Sequence, residues 1–157
     1  IGDTVRFVST DPYRLVVTGR IKHFISAFGE HVIAEEVEQA MQEAARKHDA
    51  HIIEFTVAPR IQTNEGLPYH EWFVEFEKEP DNLAAFAATV NEHMRERNIY
   101  YNDLITGSIL QPLKIRAMQK HAFIEYMKSV GRLGGQNKVA RLSNDRNIAD
   151  ALQQWVR

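Results

Sequence analysis

The chain has no cysteine among its 157 residues. That absence excludes a disulfide framework, a thiolate metal site and a cysteine nucleophile together. It has no apolar run near the roughly 20 residues that a membrane-crossing helix requires. Neither sign of charge dominates: 19 lysines and arginines stand against 21 aspartates and glutamates, for a formal net charge of −2. Bulk attraction to nucleic acid or to an anionic membrane is therefore not expected. The 7 histidines are scattered and no His-Glu-x-x-His occurs, so no metal site is expected; most histidines should be surface or partly buried with ordinary hydrogen bonds. The glycine-rich stretch Gly131-Arg132-Leu133-Gly134-Gly135-Gln136-Asn137-Lys138 lacks Gly-Lys-Ser/Thr and follows a helical pattern rather than a strand, so it is not a nucleotide P-loop. The start, Ile1-Gly2-Asp3-Thr4, has neither an initiator methionine nor a signal-peptide pattern. It reads as a cut inside a longer protein, with the cytoplasm as the expected location.

What is present is a globular composition, 44% hydrophobic and 25% charged, in one domain long enough for a real core. Val5–Ser9 and Arg14–Thr18 are short β-rich runs around the turn Thr10-Asp11-Pro12, a hairpin with Thr18-Gly19-Arg20 as the bend after it. Ile21–Phe28 reads as a strand ended by Gly29. From Ala34 to His48 the period becomes helical, with Val37, Ala40, Met41, Ala44 and Ala45 on one face and Glu35, Glu36 and Glu38 near the positive end of the dipole. Ile52–Ala58 is a β run and Pro59–Pro68 a loop. Glu71–Glu77 alternates, Trp72, Val74 and Phe76 against Glu71, Phe73, Glu75 and Glu77. Asp81 should cap a helix to about Arg97 that buries Leu83, Phe86, Ala87, Val90 and Met94. Tyr100–Ile105 is ambiguous, Leu110–Met118 reads as a strand with Pro112 near its start, and His121–Val130 is a helix stopped by Gly131. A loop through Lys138 leads to a last helix, Asn147–Val156. The fold class is α/β (α+β): a small mixed β-sheet flanked by helices on its faces, preceded by a short β-hairpin and a hinge.

Three segments carry chemistry. Gly19-Arg20, a β run, Gly29-Glu30 and the Glu-rich helix start resemble the hinge motif of the adenylate-forming, firefly-luciferase-like superfamily, with Lys22 where that superfamily usually has Asp. Ile1-Gly2-Asp3 resembles the preceding motif, whose Asp holds the ATP ribose hydroxyls; a carboxylate suits two vicinal donors. Pro112-Leu113-Lys114-Ile115-Arg116, Phe123-Ile124-Glu125-Tyr126-Met127, Gly131 and Gln136-Asn137-Lys138-Val139-Ala140-Arg141 carry a narrower resemblance. They look like the C-terminal domain of a bacterial acyl-acid amido synthetase of the auxin-responsive Gretchen Hagen family, with Ala140 where plant members have proline.

The resemblance implies that residues 1–18 end a large N-terminal adenylation domain, 19–23 form a hinge and 24–157 a mobile C-terminal lid. It implies a ligase that joins a carboxylic acid to an amine, expected to be an amino acid, through an acyl-AMP intermediate, the isolated domain being inactive. ATP with Mg would be held mainly by that N-terminal domain, which is the expected partner alongside the small-molecule substrates; neither nucleic acid nor membrane is expected. Lys138 would be catalytic, Asp3 and Arg20 would contact ATP or AMP, and Gly19, Arg20, Ile21 and Lys22 would be the pivot. His23, Phe28, Gly29, Glu30 and His31 are candidates for an acceptor path.

Two other readings share parts of the pattern. One is the lid of an acyl-CoA ligase, with a thiol acceptor, against which the Gln136–Arg141 segment favours the amidating branch. The other is a non-catalytic ferredoxin-like module binding a ligand or partner. Phe73-Val74-Glu75-Phe76 also echoes an RNA-recognition strand. Tyr69-His70-Glu71-Trp72 precedes it in place of basic and glycine residues, so those aromatics are expected in the core.

Overall fold

The computed structural model describes residues 3–20, 24–64, 66–134 and 138–157, with the backbone course alone for residues 3, 4 and 18–20. The chain opens with an antiparallel hairpin, β1 (Asp3–Thr10) and β2 (Tyr13–Arg20), joined through Asp11-Pro12. Both strands run further than their apolar residues suggest. Thr4 pairs with Gly19 and Asp3 with Arg20, so Gly19 and Arg20 are the last rungs of the ladder rather than a bend after it. A backbone ladder continues wherever a partner lies opposite, whatever the side chains are.

The strand expected over Ile21–Phe28 is much shorter in its described part. Phe24–Ile25 (β3) pairs with Val32–Ile33 (β4). Gly29, at φ +91°, turns the chain back between them, a conformation that costs glycine nothing. Helix α1 (Ala34–Lys47) follows and buries Val37, Ala40, Met41 and Ala44, the stripe visible in the sequence. Glu36 reaches back to accept from the Ile33 amide at 3.0 Å, satisfying a donor that the helix start leaves open.

Strands β5 (His51–Arg60) and β6 (Tyr69–Lys78) are antiparallel, and β7 (Lys114–Ala117) lies parallel to β6 on its other side. Between β6 and β7 run α2 (Leu83–Arg97) and α3 (Ile99–Thr106). Asp81 does not cap α2. Asn82 does, its side chain accepting from the Ala85 amide at 2.9 Å, because the cap must directly precede the first helical residue, Leu83. The ambiguous Tyr100–Ile105 is helical because Asn98 caps it, accepting from the Tyr101 amide at 2.8 Å. The strand expected from Leu110 shortens to four residues. Leu110 and Leu113 are still buried, but Pro112 between them has no amide to give a ladder. Helix α4 (Ala122–Ser129) ends before Gly131, at φ +68°. The last helix, α5 (Asn147–Leu152), tightens into a 3-10 turn at Gln153–Trp155.

The result is three layers: α1, α2 and α3 on one face of the mixed sheet, α4 and α5 on the other. Trp72, Val74 and Phe76 of β6 pack into the first core with Phe55, Phe86 and Met94. Phe73 packs into the second with Met118, Phe123 and Leu152. Both sheet edges are partly covered, since Leu142 bridges Val57 in parallel and Val156 bridges Met118; that blunts open edges. No helix among the described residues is long and apolar enough to cross a membrane.

Because β6 is covered on both sides, Glu71 and Glu75 are buried, at 1% and 2% exposure. Glu75 accepts from the amides of His121 at 2.6 Å and Phe123 at 3.2 Å. It therefore caps α4 from a strand, replacing a local cap that His121 does not provide. Replacing Glu75 with Ala should cost on the order of 2–3 kcal/mol, since charge-assisted acceptors of buried amides are lost without substitute. Urea unfolding measures this, and a loss under about 0.5 kcal/mol would remove the capping role.

Candidate functional site

The segment 138–146 is an irregular strap along the free edge of β5, and Lys138 stands exposed at its described start. The residues after it are fastened in turn. Thr56 Oγ1 donates to the Ala140 carbonyl at 2.6 Å. The Val57 amide donates to the Arg141 carbonyl at 2.9 Å, and the Ser143 amide to the Val57 carbonyl at 3.1 Å. Arg141 donates to the Phe55 carbonyl at 2.9 Å, pairs with Glu54 and Glu38, and lies 4.3 Å from the Phe55 ring centroid. Phe55 in turn stacks on Trp72. Leu142 is buried. Arg146 donates to Glu71 at 2.8 Å and to the Pro59 carbonyl at 3.1 Å. Arg116 donates to the other Glu71 oxygen at 2.9 Å, and that bond holds its guanidinium above its ordinary pKa, burial working the other way. A groove between α1 and β5, lined by Met41, Ala45, Ala50, Ile53 and Phe55, has Arg141 at its rim.

The second cluster lies under the loop between β3 and β4. Glu30 is fully buried and His70 is 1% exposed; His70 Nε2 donates to Glu30 Oε1 at 2.8 Å. The other Glu30 oxygen accepts from the Phe28 amide at 2.8 Å. Asn98 donates to the Glu30 carbonyl at 2.9 Å and to Glu36 at 3.1 Å. The His70 ring sits 5.3 Å from that of Tyr101, whose hydroxyl donates to Asn91. Burial pushes Glu30 up, but the hydrogen bonds from His70 and the backbone more than offset it, so its pKa lies below the ordinary value. For Glu36 burial wins over its bonds to Asn98 and Ile33, and its pKa is raised.

Asp3 and Arg20 face each other as backbone partners at the open end of the hairpin, with Gly19 one rung in. Ile21, Lys22 and His23 lie outside the described residues, as do Gly2, Gln136 and Asn137. Gly29 and His31 are exposed, and Phe28 is partly buried. Glu30 is between them in sequence, yet its carboxylate points inward to His70. The described histidines are surface or partly buried as expected, except His70, because β6 is covered on both faces. A His-Glu pair near the start of an aromatic strand was the available signal. Asn98 gave none.

The family model described as the GH3 family C-terminal domain matches residues 35–147. Among solved structures, GH3.15 acyl acid amido synthetase is similar with a TM-score of 0.78 at 19% identity, covering 100% of this chain and 29% of that one. A structure of AtGH3.15 acyl acid amido synthetase in complex with 2,4-DB gives 0.74 at 19% identity, with 100% and 30% covered. At such identity the likeness is one of fold. The chain thus spans under a third of the length of these structural relatives. Comparison with curated protein sequences found no match.

The two carboxylates of the buried cluster should titrate with opposite signs. Glu30's folded pKa is depressed, so its stabilisation is full above the unfolded value of about 4.3 and is lost as pH falls through the folded value. The cost of Glu30→Gln should be largest near neutrality and shrink in acid. Glu36's folded pKa is raised, so its contribution is full in acid and fades as pH rises through that value. Glu36→Gln should become less costly towards neutrality. Unfolding free energies of both variants from about pH 3 to pH 7 test the pair, and parallel profiles would contradict it.

Proposed function

The chain belongs to the GH3 family, as its C-terminal domain, and from that premise we propose that it is the mobile lid of an ATP-dependent acyl acid amido synthetase. The adenylation site it closes lies in the rest of the protein. In the first step a substrate carboxylate oxygen attacks the α-phosphorus of ATP, the bond to the β-phosphate oxygen breaks, and pyrophosphate leaves. In the second an amine, such as that of an amino acid, attacks the acyl carbon and AMP leaves. ATP and its accompanying Mg are bound mainly outside this chain.

The observation that carries this reading is Lys138, an exposed ammonium at the tip of a strap whose root is pinned by Arg141, Leu142 and Arg146. A flexible point charge on a fixed mount suits charge that builds on the α-phosphate as the carboxylate attacks. Asp3 accepts from the ribose hydroxyls and Arg20 assists. Their pairing across the hairpin supports one shared site. Gly19, Arg20, Ile21 and Lys22 form the pivot, and His23, Phe28, Gly29 and His31 line the amine's approach, with Glu30 anchoring that loop from beneath. The hairpin is the edge of the large N-terminal domain: Phe7, Val8, Tyr13, Leu15 and Val17 are all more than half exposed. Such an apolar ribbon calls for a covering surface, and the rest of the same protein is the proposed cover.

The test is ATP–pyrophosphate exchange by the full-length protein over a panel of aryl and alkyl carboxylic acids. Lys138→Ala should lower exchange by a factor on the order of 10² or more, about 3 kcal/mol of transition-state stabilisation. Exchange unaffected by the substitution would remove Lys138 from the adenylation step. Absence of exchange with every acid would count against the ligase itself.

A further inference from the structure

Asn144 bonds to the β3 segment through both ends of its carboxamide. Its Nδ2 donates to the Phe24 carbonyl at 2.9 Å, and its Oδ1 accepts from the Ser26 amide at 2.9 Å. One carboxamide thus occupies the place of a neighbouring strand's peptide group beside β3, the first described element after the pivot. These bonds join residues 118 and 120 positions apart. Arg141, three residues earlier, ties the same strap to two later elements, α1 through Glu38 and β5 through Glu54 and the Phe55 carbonyl. Lys138 is three residues before Arg141.

We propose that Asn144 and Arg141 are positioning residues, which fasten the strap to β3, α1 and β5 so that Lys138 travels with the elements leaving the pivot. The inference rests on the proposed role of Lys138. Neither side chain reaches reacting atoms; both act through where they hold the lysine. Asn144 is exposed, and hydrogen bonds at the surface contribute little net stability, so losing this one leaves the fold standing. It does free the strap from β3. Displacement of a catalytic group by about 1 Å is enough to slow a reaction by about 10²-fold. ATP and the carboxylic acid are held by the other domain, so their binding is not expected to change.

The experiment is a double-mutant cycle in the full-length protein, read by ATP–pyrophosphate exchange with separate kcat and KM for ATP. Asn144→Ala should lower kcat at least about tenfold while leaving KM for ATP within about twofold. Asn144→Asp keeps the acceptor for the Ser26 amide and loses the donor, and should fall between. Arg141→Lys keeps the charge but not the fork of donors, and should also lower kcat. In a Lys138→Ala background, Asn144→Ala should produce no further loss, since both then act through one missing ammonium. Full multiplicative loss in the double variant, a matched rise in KM, or wild-type kcat in both Asn144 variants would overturn the positioning role while leaving Lys138 in place. Should Lys138→Ala alone leave exchange intact, the role of the lysine fails, and this inference fails with it.

Discussion

Strand β6 runs between two hydrophobic cores while carrying polar side chains that water cannot reach. His70, Glu71 and Glu75 are each 2% exposed or less. An uncompensated buried carboxylate is among the most expensive features a fold can contain. Each of the three is answered, and each answer comes from a different part of the chain. His70 meets Glu30 from the β3–β4 loop. Glu71 meets Arg116 of β7 and Arg146 at the strap's end. Glu75 takes two amides at the start of α4. The central strand thereby fixes where its neighbours sit through bonds that only one partner can complete.

That arrangement bears on the candidate site because two of those neighbours carry its candidate residues. The loop held by Glu30 exposes Gly29 and His31 above a buried anchor. The strap held at Arg146 exposes Lys138 at its far end. In both cases a rigid root supports a solvated tip. Such a mount limits how far the exposed end wanders while leaving its last torsions free, which is what the role proposed for Lys138 calls for. Arg141 adds a second layer, stacking on Phe55, which stacks on Trp72 of β6 itself.

Much of this frame was legible in the residues, and the failures have physical causes. The α1 stripe, the alternation of Glu71–Glu77 and the stop at Gly131 are periodic or conformational signals that survive without tertiary context. Strands of two residues, such as β3 and β4, have no period to detect. Asp81 and Asn82 are chemically equivalent caps, and only the helix register chooses between them. The burial of Glu71 and Glu75 was not legible, because nothing in the strand's own pattern shows its second face roofed by α4 and α5; His70 lies on the other face, against Glu30 and Tyr101. Within the candidate site, the motif singled out Lys138, which stands exposed at the start of the strap. The contacts of Arg141 with Phe55 and Glu38, across 86 and 103 residues, were not, since nothing local announces a partner at that distance.

The same buried pairs also bear on why β6 has only one register. Replacing a buried ion pair with well-packed apolar residues is often neutral or stabilising, so net stability alone does not account for polar groups here. Strand geometry supplies another reason. A slip of one residue in β6 exchanges its faces, sending Glu71 and Glu75 into the core lined by Phe55, Phe86 and Met94, and turning Trp72 towards Arg116 and Arg146. An all-apolar strand would tolerate that slip, since both faces are covered and apolar alike. With the carboxylates in place, the slipped state takes two acids away from their donors, while the native register gives Glu71 both guanidiniums and Glu75 two amides. The polar residues of β6 thus penalise the competing register, and the placement of the loop above Glu30 and of the Lys138 strap follows from the register they enforce.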